Sequence, residues 1–263
     1  MLQLADRRSV LVLVLALSGT VVLVAALATY TAARKAPTPA LETVDVASET
    51  LPVGSALPSP EYCATYANQV GSGREAVLDN GGANHSVPTG LKLPPWPDYW
   101  NPLVNRLFVP RIDGQYTGTT DQILMWGACK WGISPDLVRA MAMAESSWRQ
   151  SKVGDYEDDQ ALCVSGDSAP CPTSFGILQI KHIFRPGSWP DSQRHTAFNV
   201  DYSLAVLRGC FEGWILYLEN GYTAGDIWGC VGWHYSGNWK DNPAFEYVHG
   251  VEDELDARYW VNW

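Results

Sequence analysis

The stretch ISPDLVRAMAMAESSW, residues 133–148, carries the most structural information in the chain. Ser134 is a good N-cap, Pro135 suits the first helical position, and Asp136 complements the positive end of the helix dipole. Leu137, Met141 and Glu145 then follow at i, i+4 and i+8, with Val138, Ala142 and Ala144 nearby. That spacing predicts a helix with Glu145 on or beside its apolar stripe, close to the C-terminal end. A carboxylate placed there, at the negative end of a dipole and against an apolar face, has its charged form disfavoured twice over, which suits a general acid. The plainer reading is a Glu at a frayed helix end, turned to solvent or paired with Arg149 at i+4.

Upstream, Thr119-Thr120-Asp121 can cap a helix running to about Trp131 and stopped by Gly132. Downstream, Leu204, Leu207, Phe211, Trp214 and Leu218 predict a helix from about Val200 to Asn220, ended by Gly221. Between residues 61 and 118 the prolines of LPPWPDYWNP forbid long helices, although a short one fits Tyr62–Val70. Trp96, Tyr99 and Trp100 either pack this loop onto the core or line a sugar-binding groove.

Ahead of the domain, Asp6-Arg7-Arg8 precedes 25 uncharged residues, Ser9 to Ala33, and then Arg34-Lys35. A helix of roughly 20 apolar residues crosses a bilayer, so residues 1–35 read as a signal anchor that leaves the rest of the chain extracytoplasmic. Cleavage after Ala26-Leu27-Ala28 or Thr31-Ala32-Ala33 would make the domain secreted instead. Residues 36–60 are Pro/Ala/Thr-rich and read as a linker. Residues 61–118 then form an irregular extension of a folded domain that occupies 119–263.

The six cysteines all follow the N-terminal segment. An even number in an exported chain reads as disulfides, with 15 possible pairings. Cys163–Cys171 is the local pair, and Cys210–Cys230 and Cys63–Cys129 follow by elimination. No C-x-x-C occurs, no His stands at ligand spacing, and the acidic run around Asp155, Glu157, Asp158, Asp159 and Asp167 lacks EF-hand spacing, so neither a metal nor a cofactor is expected. After residue 35 the chain carries 14 basic and 27 acidic side chains. That surface repels a phosphate backbone and excludes nucleic acid as a partner. Twelve Trp and twelve Tyr exclude a wholly disordered chain.

Five short elements occur in a telling order: Glu145-Ser146 ending a helix, SFGILQI at 174–180, Asn199 opening a long helix, WHYSGNW at 233–239, and Tyr247-Val248. Together they resemble the lytic transglycosylase branch of the lysozyme-like superfamily. The resemblance implies a mainly α, lysozyme-like helical domain with long, irregular, disulfide-stapled loops. It also implies peptidoglycan glycan strands as substrate, Glu145 as the single acid and base, and Ser174, Gly176, Gln179 and Tyr235 beside the substrate. Gln179 would meet a sugar N-acetyl group, or else bond to backbone within the core. In WHYSGNW, either His234 or Tyr235 can occupy the slot near Glu145. Tyr235 fits by residue type, which leaves His234 a structural role. Two other functions remain open: a hydrolytic muramidase using an acidic-loop carboxylate such as Asp155 as base, and a non-catalytic module that binds or scaffolds cell-wall glycan.

Overall fold

The computed structural model describes residues 49–219 and 221–263. The proposed anchor, residues 1–35, lies outside the described residues. Among the described residues, no helix is long and apolar enough to cross a membrane.

The described chain is mainly helical. Its helices of ten residues or more are α1 (Pro60–Val70), α2 (Thr120–Trp131), α3 (Pro135–Ser146), α4 (Thr196–Phe211), α5 (Ile227–Ser236) and α6 (Asn242–Ala257). Helix α2 starts and stops where its capping signals place it. Thr119 Oγ1 accepts from Gln122 N at 3.2 Å, and Gln122 Oε1 accepts from Thr119 N at 2.9 Å, a reciprocal capping box. Gly132 ends the helix in the left-handed conformation, at φ +60°, packed closely on the Leu51 side chain.

Helix α4 is the centre of the fold, and all of its residues are buried. A helix enclosed on every face must be apolar all round or have its polar groups satisfied. Three consecutive residues, Phe198, Asn199 and Val200, point about 100° apart. Each meets a glycine from a different segment: Gly114, Gly176 and Gly127 respectively. A Cβ on Gly127 would lie 2.4 Å from Val200 Cγ1, so bare backbone of α2 packs on side chains of α4.

The helix stops at Phe211, well short of the expected Asn220. Gly213, at φ +81°, supplies the stop instead of Gly221: Gly213 N donates to Cys210 O and Trp214 N to Gly209 O. Trp214 and Leu218 therefore belong to a loop, where the Trp214 ring packs 4.6 Å from that of Phe108.

A small antiparallel sheet follows α3, with strands β1 (Val153–Glu157), β2 (Cys171–Phe175) and β3 (Ile180–Lys181) in sequence order. Val153 faces Phe175, and Phe175 in turn faces Ile180. The disulfides are Cys63–Cys129, Cys163–Cys171 and Cys210–Cys230, the three pairs expected. Three disulfides fit an oxidising, extracytoplasmic setting.

The last part of the expected linker is bound to the domain: Leu51 N donates to Gly132 O at 2.9 Å, and the buried Arg208 guanidinium donates to Leu51 O and Pro52 O, each at 2.8 Å. The 61–118 stretch is likewise integral, with α1 stapled to α2 by Cys63–Cys129. Trp96 and Trp100 are buried against Tyr202 and Trp233, so they pack the core and line no groove, while Tyr99 is half-buried.

Helix α2, helix α4 and the loop at 113–114 meet at one buried charge. Asp201 Oδ2 lies 2.7 Å from Lys130 Nζ and accepts from the backbone N–H groups of Asp113 and Gly114, each at 2.9 Å. Its Oδ1 accepts from Trp131 Nε1 at 2.7 Å. Removing one partner of a buried pair strands the other charge. Asp201→Ala should therefore cost about 3 kcal/mol, the low end of the usual range because Asp113 Oδ1 stays 3.0 Å from Lys130 Nζ. Calorimetry should show a melting temperature lower by about 6–12 °C. An unchanged melt would mean that the pair does not tie these segments together.

Candidate active site

Helix α3 ends in two successive non-glycine residues in the left-handed region, Ser147 at φ 52° and Trp148 at φ 62°. The turn is held by Ser147 N donating to Met143 O at 2.9 Å and Trp148 N to Ala142 O at 3.1 Å. The Trp148 indole N–H donates back to Arg139 O at 3.0 Å. Conformations of this kind cost on the order of 1 kcal/mol per residue and persist only where the surroundings impose them.

Glu145 lies in the last turn of α3, its side chain 10% exposed. It turns toward α5 and α6, leaving Arg149 exposed to solvent. Tyr247 Oη donates to Glu145 Oε1 at 2.6 Å, and His234 Nε2 lies 3.3 Å from the same oxygen. Oε2 takes neither contact. Burial, and then the negative charge of Glu145, push the Tyr247 hydroxyl well above its ordinary range, so it remains a donor. His234 Nδ1 is buried without a hydrogen-bond partner among the described residues.

These contacts revise the reading of WHYSGNW. Because α5 continues through Ser236, one residue of offset is a rotation of about 100°. That rotation brings His234 to Glu145 and leaves Tyr235 60% exposed. Tyr235 instead stacks flat on Tyr247, with ring centroids 4.8 Å apart. Tyr247 itself carried no assigned role in the sequence. The signal was present in the spacing Ala244, Tyr247, Val248, Val251, the inward stripe of α6.

The β2–β3 turn forms the wall beside Glu145. Ser146 Oγ donates to Ile177 O at 2.9 Å, fastening the helix end to this turn. Gln150 Oε1 accepts from Ile177 N at 3.1 Å, while Asn199 accepts from Leu178 N at 2.9 Å and donates to Phe175 O and Ser192 O, both at 2.8 Å. Gly176, at φ +83°, is required here because a Cβ would lie 2.2 Å from Asn199 Nδ2.

Three residues expected beside a substrate are thus engaged within the protein. Ser174 is buried and donates to Asp155 Oδ2 at 2.5 Å; Gly176 is pressed on Asn199; and Gln179 donates to Gly176 O at 2.7 Å and Lys152 O at 3.1 Å. Gln179 is partly exposed, and its Oε1 has no hydrogen bond among the described residues. Asp155, 55% exposed, spends Oδ2 on Ser174 and lies 3.9 Å from Lys181 Nζ.

The 61–118 stretch also reaches the site. Asn80 Nδ2 donates to Trp148 O at 2.7 Å and Asn80 Oδ1 accepts from Gln150 N at 2.8 Å, clamping the turn that follows Glu145. No local pattern in the sequence marks Asn80 for this role. Among the described residues, no cluster of His, Cys, Asp and Glu could hold a metal ion. Cavities of about 500 and 160 Å³ lie against Leu93 and Asn105, and against Trp228 and Phe245; Glu145 lines neither.

The strain at Ser147 is testable, because glycine adopts its conformation without steric cost. Ser147→Gly should stabilise the domain by about 0.5 kcal/mol, the relief being partly offset by the freer unfolded chain. The expected rise in melting temperature is about 1–2 °C. A lower melt would show that the Ser147 side chain contributes more than its backbone costs. No family model matches the chain, and neither a curated protein nor a solved structure matches it.

Proposed function

We propose that the chain is a peptidoglycan lytic transglycosylase of the lysozyme-like superfamily. It would be exported and held at the membrane by residues 1–35, or secreted if that segment is removed. One observation carries this reading: a nearly enclosed carboxylate, Glu145, with no Lys or Arg partner among the described residues, has Oε1 engaged by Tyr247 and His234 while Oε2 takes neither contact. A carboxyl group in such surroundings suits proton transfer to and from a bound substrate.

Glu145 protonates the bridging oxygen of the β-1,4 bond between N-acetylmuramic acid and N-acetylglucosamine, and the substrate's acetamido group assists departure of the leaving sugar. The carboxylate then takes the proton from the C6 hydroxyl as that oxygen closes on C1. The product ends in a 1,6-anhydro sugar and no water is consumed. The hydrogen bond from Tyr247 to Oε1 supports Oε2 as the oxygen that carries the mobile proton. Gln179 Oε1 is available to accept from an acetamido N–H, and the exposed face of Tyr235 offers a platform for a sugar ring. The engagement of Asp155 with Ser174 supports a one-carboxyl mechanism over a hydrolase with a second, water-activating carboxylate.

Mass spectrometry of products from the full-length chain and purified peptidoglycan tests the proposal. Muropeptides one water lighter than hydrolysis products are expected, and Glu145→Gln should abolish them while leaving the thermal melt nearly unchanged. Products of full mass with a reducing end would replace the transglycosylase with a hydrolase. Binding to the glycan without any cleavage would leave a wall-binding module.

A further inference from the structure

Among the described residues, the buried and partly buried arginines are spent internally, with one exception. Arg139 pairs with Asp121 and Asp136; Arg208 bonds Glu212 and two backbone carbonyls of the 51–52 segment; Arg111 donates to the carbonyls of Pro58 and Lys130. Arg185, just after β3, has a single long bond, Nη1 to Phe184 O at 3.4 Å. Its guanidinium lies over the Trp233 ring, with Cζ 5.2 Å from the centroid.

Among the described residues, no carboxylate is close enough to act on it. The groups that do are the phenols of Tyr202, Tyr99 and Tyr217, and burial weakens its hold on the proton. Two of those phenols are already committed: Tyr202 Oη donates to Pro186 O at 3.0 Å, and Tyr217 Oη accepts from Trp233 Nε1 at 2.8 Å and donates to Gly237 O at 3.2 Å. The Arg185 fork is what remains unspent.

An aromatic floor compensates part of the cost of desolvating a guanidinium while leaving its planar donors unused. In a chain with 27 carboxylates after residue 35, leaving this cation without one keeps it available to an anion from outside. The floor belongs to the same helix, α5, that brings His234 to Glu145, on a face turned about 100° from it.

We propose that Arg185, seated on Trp233, anchors a subsite for the free carboxylate of a peptide carried by the glycan substrate. A carboxylate matches the guanidinium fork in a bidentate pair. A phosphate group, the other anion of that geometry, is less well served. The next cation along the chain, Lys181, is taken by Glu157 at 3.1 Å, and the net negative surface opposes a second negative charge. The choice of a wall peptide as source rests on the peptidoglycan reading above.

The test is isothermal titration calorimetry of the full-length chain with a muramyl peptide ending in a free carboxylate, with the same compound amidated, and with glycerol phosphate. The native protein should bind the carboxylate form at least about tenfold more tightly than the amide, the usual worth of a charge-assisted pair. Arg185→Gln should bring that ratio to one with its melt intact, and Arg185→Lys, which keeps the charge without the fork, should retain part of it. Equal binding of acid and amide by the native protein, or a preserved ratio in Arg185→Gln, would overturn the proposal. Glycerol phosphate binding as tightly as the acid would overturn the peptide assignment. Because the readout is binding, a tenfold preference for the acid in a native chain that cleaves nothing, lost in Arg185→Gln, would sink the Glu145 mechanism and leave the Arg185 subsite standing.

Discussion

The buried pair of Lys130 and Asp201 is the constraint on which the remainder of the structure rests. Both side chains are fully enclosed, so neither charge can be left without its partner. Asp201 has further acceptor capacity, and the fold fills it with an indole N–H from α2 and two backbone N–H groups from the 113–114 loop. Only one placement of α2, α4 and that loop satisfies every donor. A purely apolar contact between the two helices would tolerate sliding.

From that frame a chain of amides carries order to the catalytic candidate. Asn199, two residues before Asp201, holds the β2–β3 turn; Gln150 holds the same turn from the other side; and Asn80 holds Gln150 and Trp148. Ser146 fastens the end of α3 to Ile177. Glu145 is therefore positioned from behind by side chains that do not touch it, and from the front by Tyr247 and His234. An arrangement of this sort keeps a proton-transfer group within the narrow geometry its chemistry needs.

Much of this was legible in the chain itself, and what failed did so for definable reasons. Thr119, Gly132 and Pro135 act within one turn of themselves, so the bounds of α2 and the start of α3 could be read directly; Ser134 holds the N-cap position without its side chain capping the helix. The cysteine pairs could be read because only one short loop offered a local partner. The end of α4 could not, since apolar spacing continues through Trp214 and Leu218 and either Gly213 or Gly221 could stop it. The β1 strand, VGDYE, shows no clear alternation, and its pairing with β2 is set by tertiary contact. The His234/Tyr235 choice turned on helical phase, which a one-residue ambiguity in a short motif leaves open. Asn80 sits in a segment whose fold is dictated by what it packs against.

The encasement of α4 bears on how this sequence can change over time. Phe198, Asn199 and Val200 each face a glycine contributed by a distant segment, at separations that leave no room for a methyl group. Drift at any of the three glycines is therefore blocked singly, and drift along the helix is blocked by the backbone it touches. Paired replacement, a smaller residue on the helix accompanying a larger one on its neighbour, is open only at Gly127, where the clash is with the Val200 side chain; at Gly114 and Gly176 a Cβ would also meet backbone, Phe198 Cα and Ser192 O. Variation that escapes this coupling belongs to the outward faces of α1 and α6, where a new side chain meets only water.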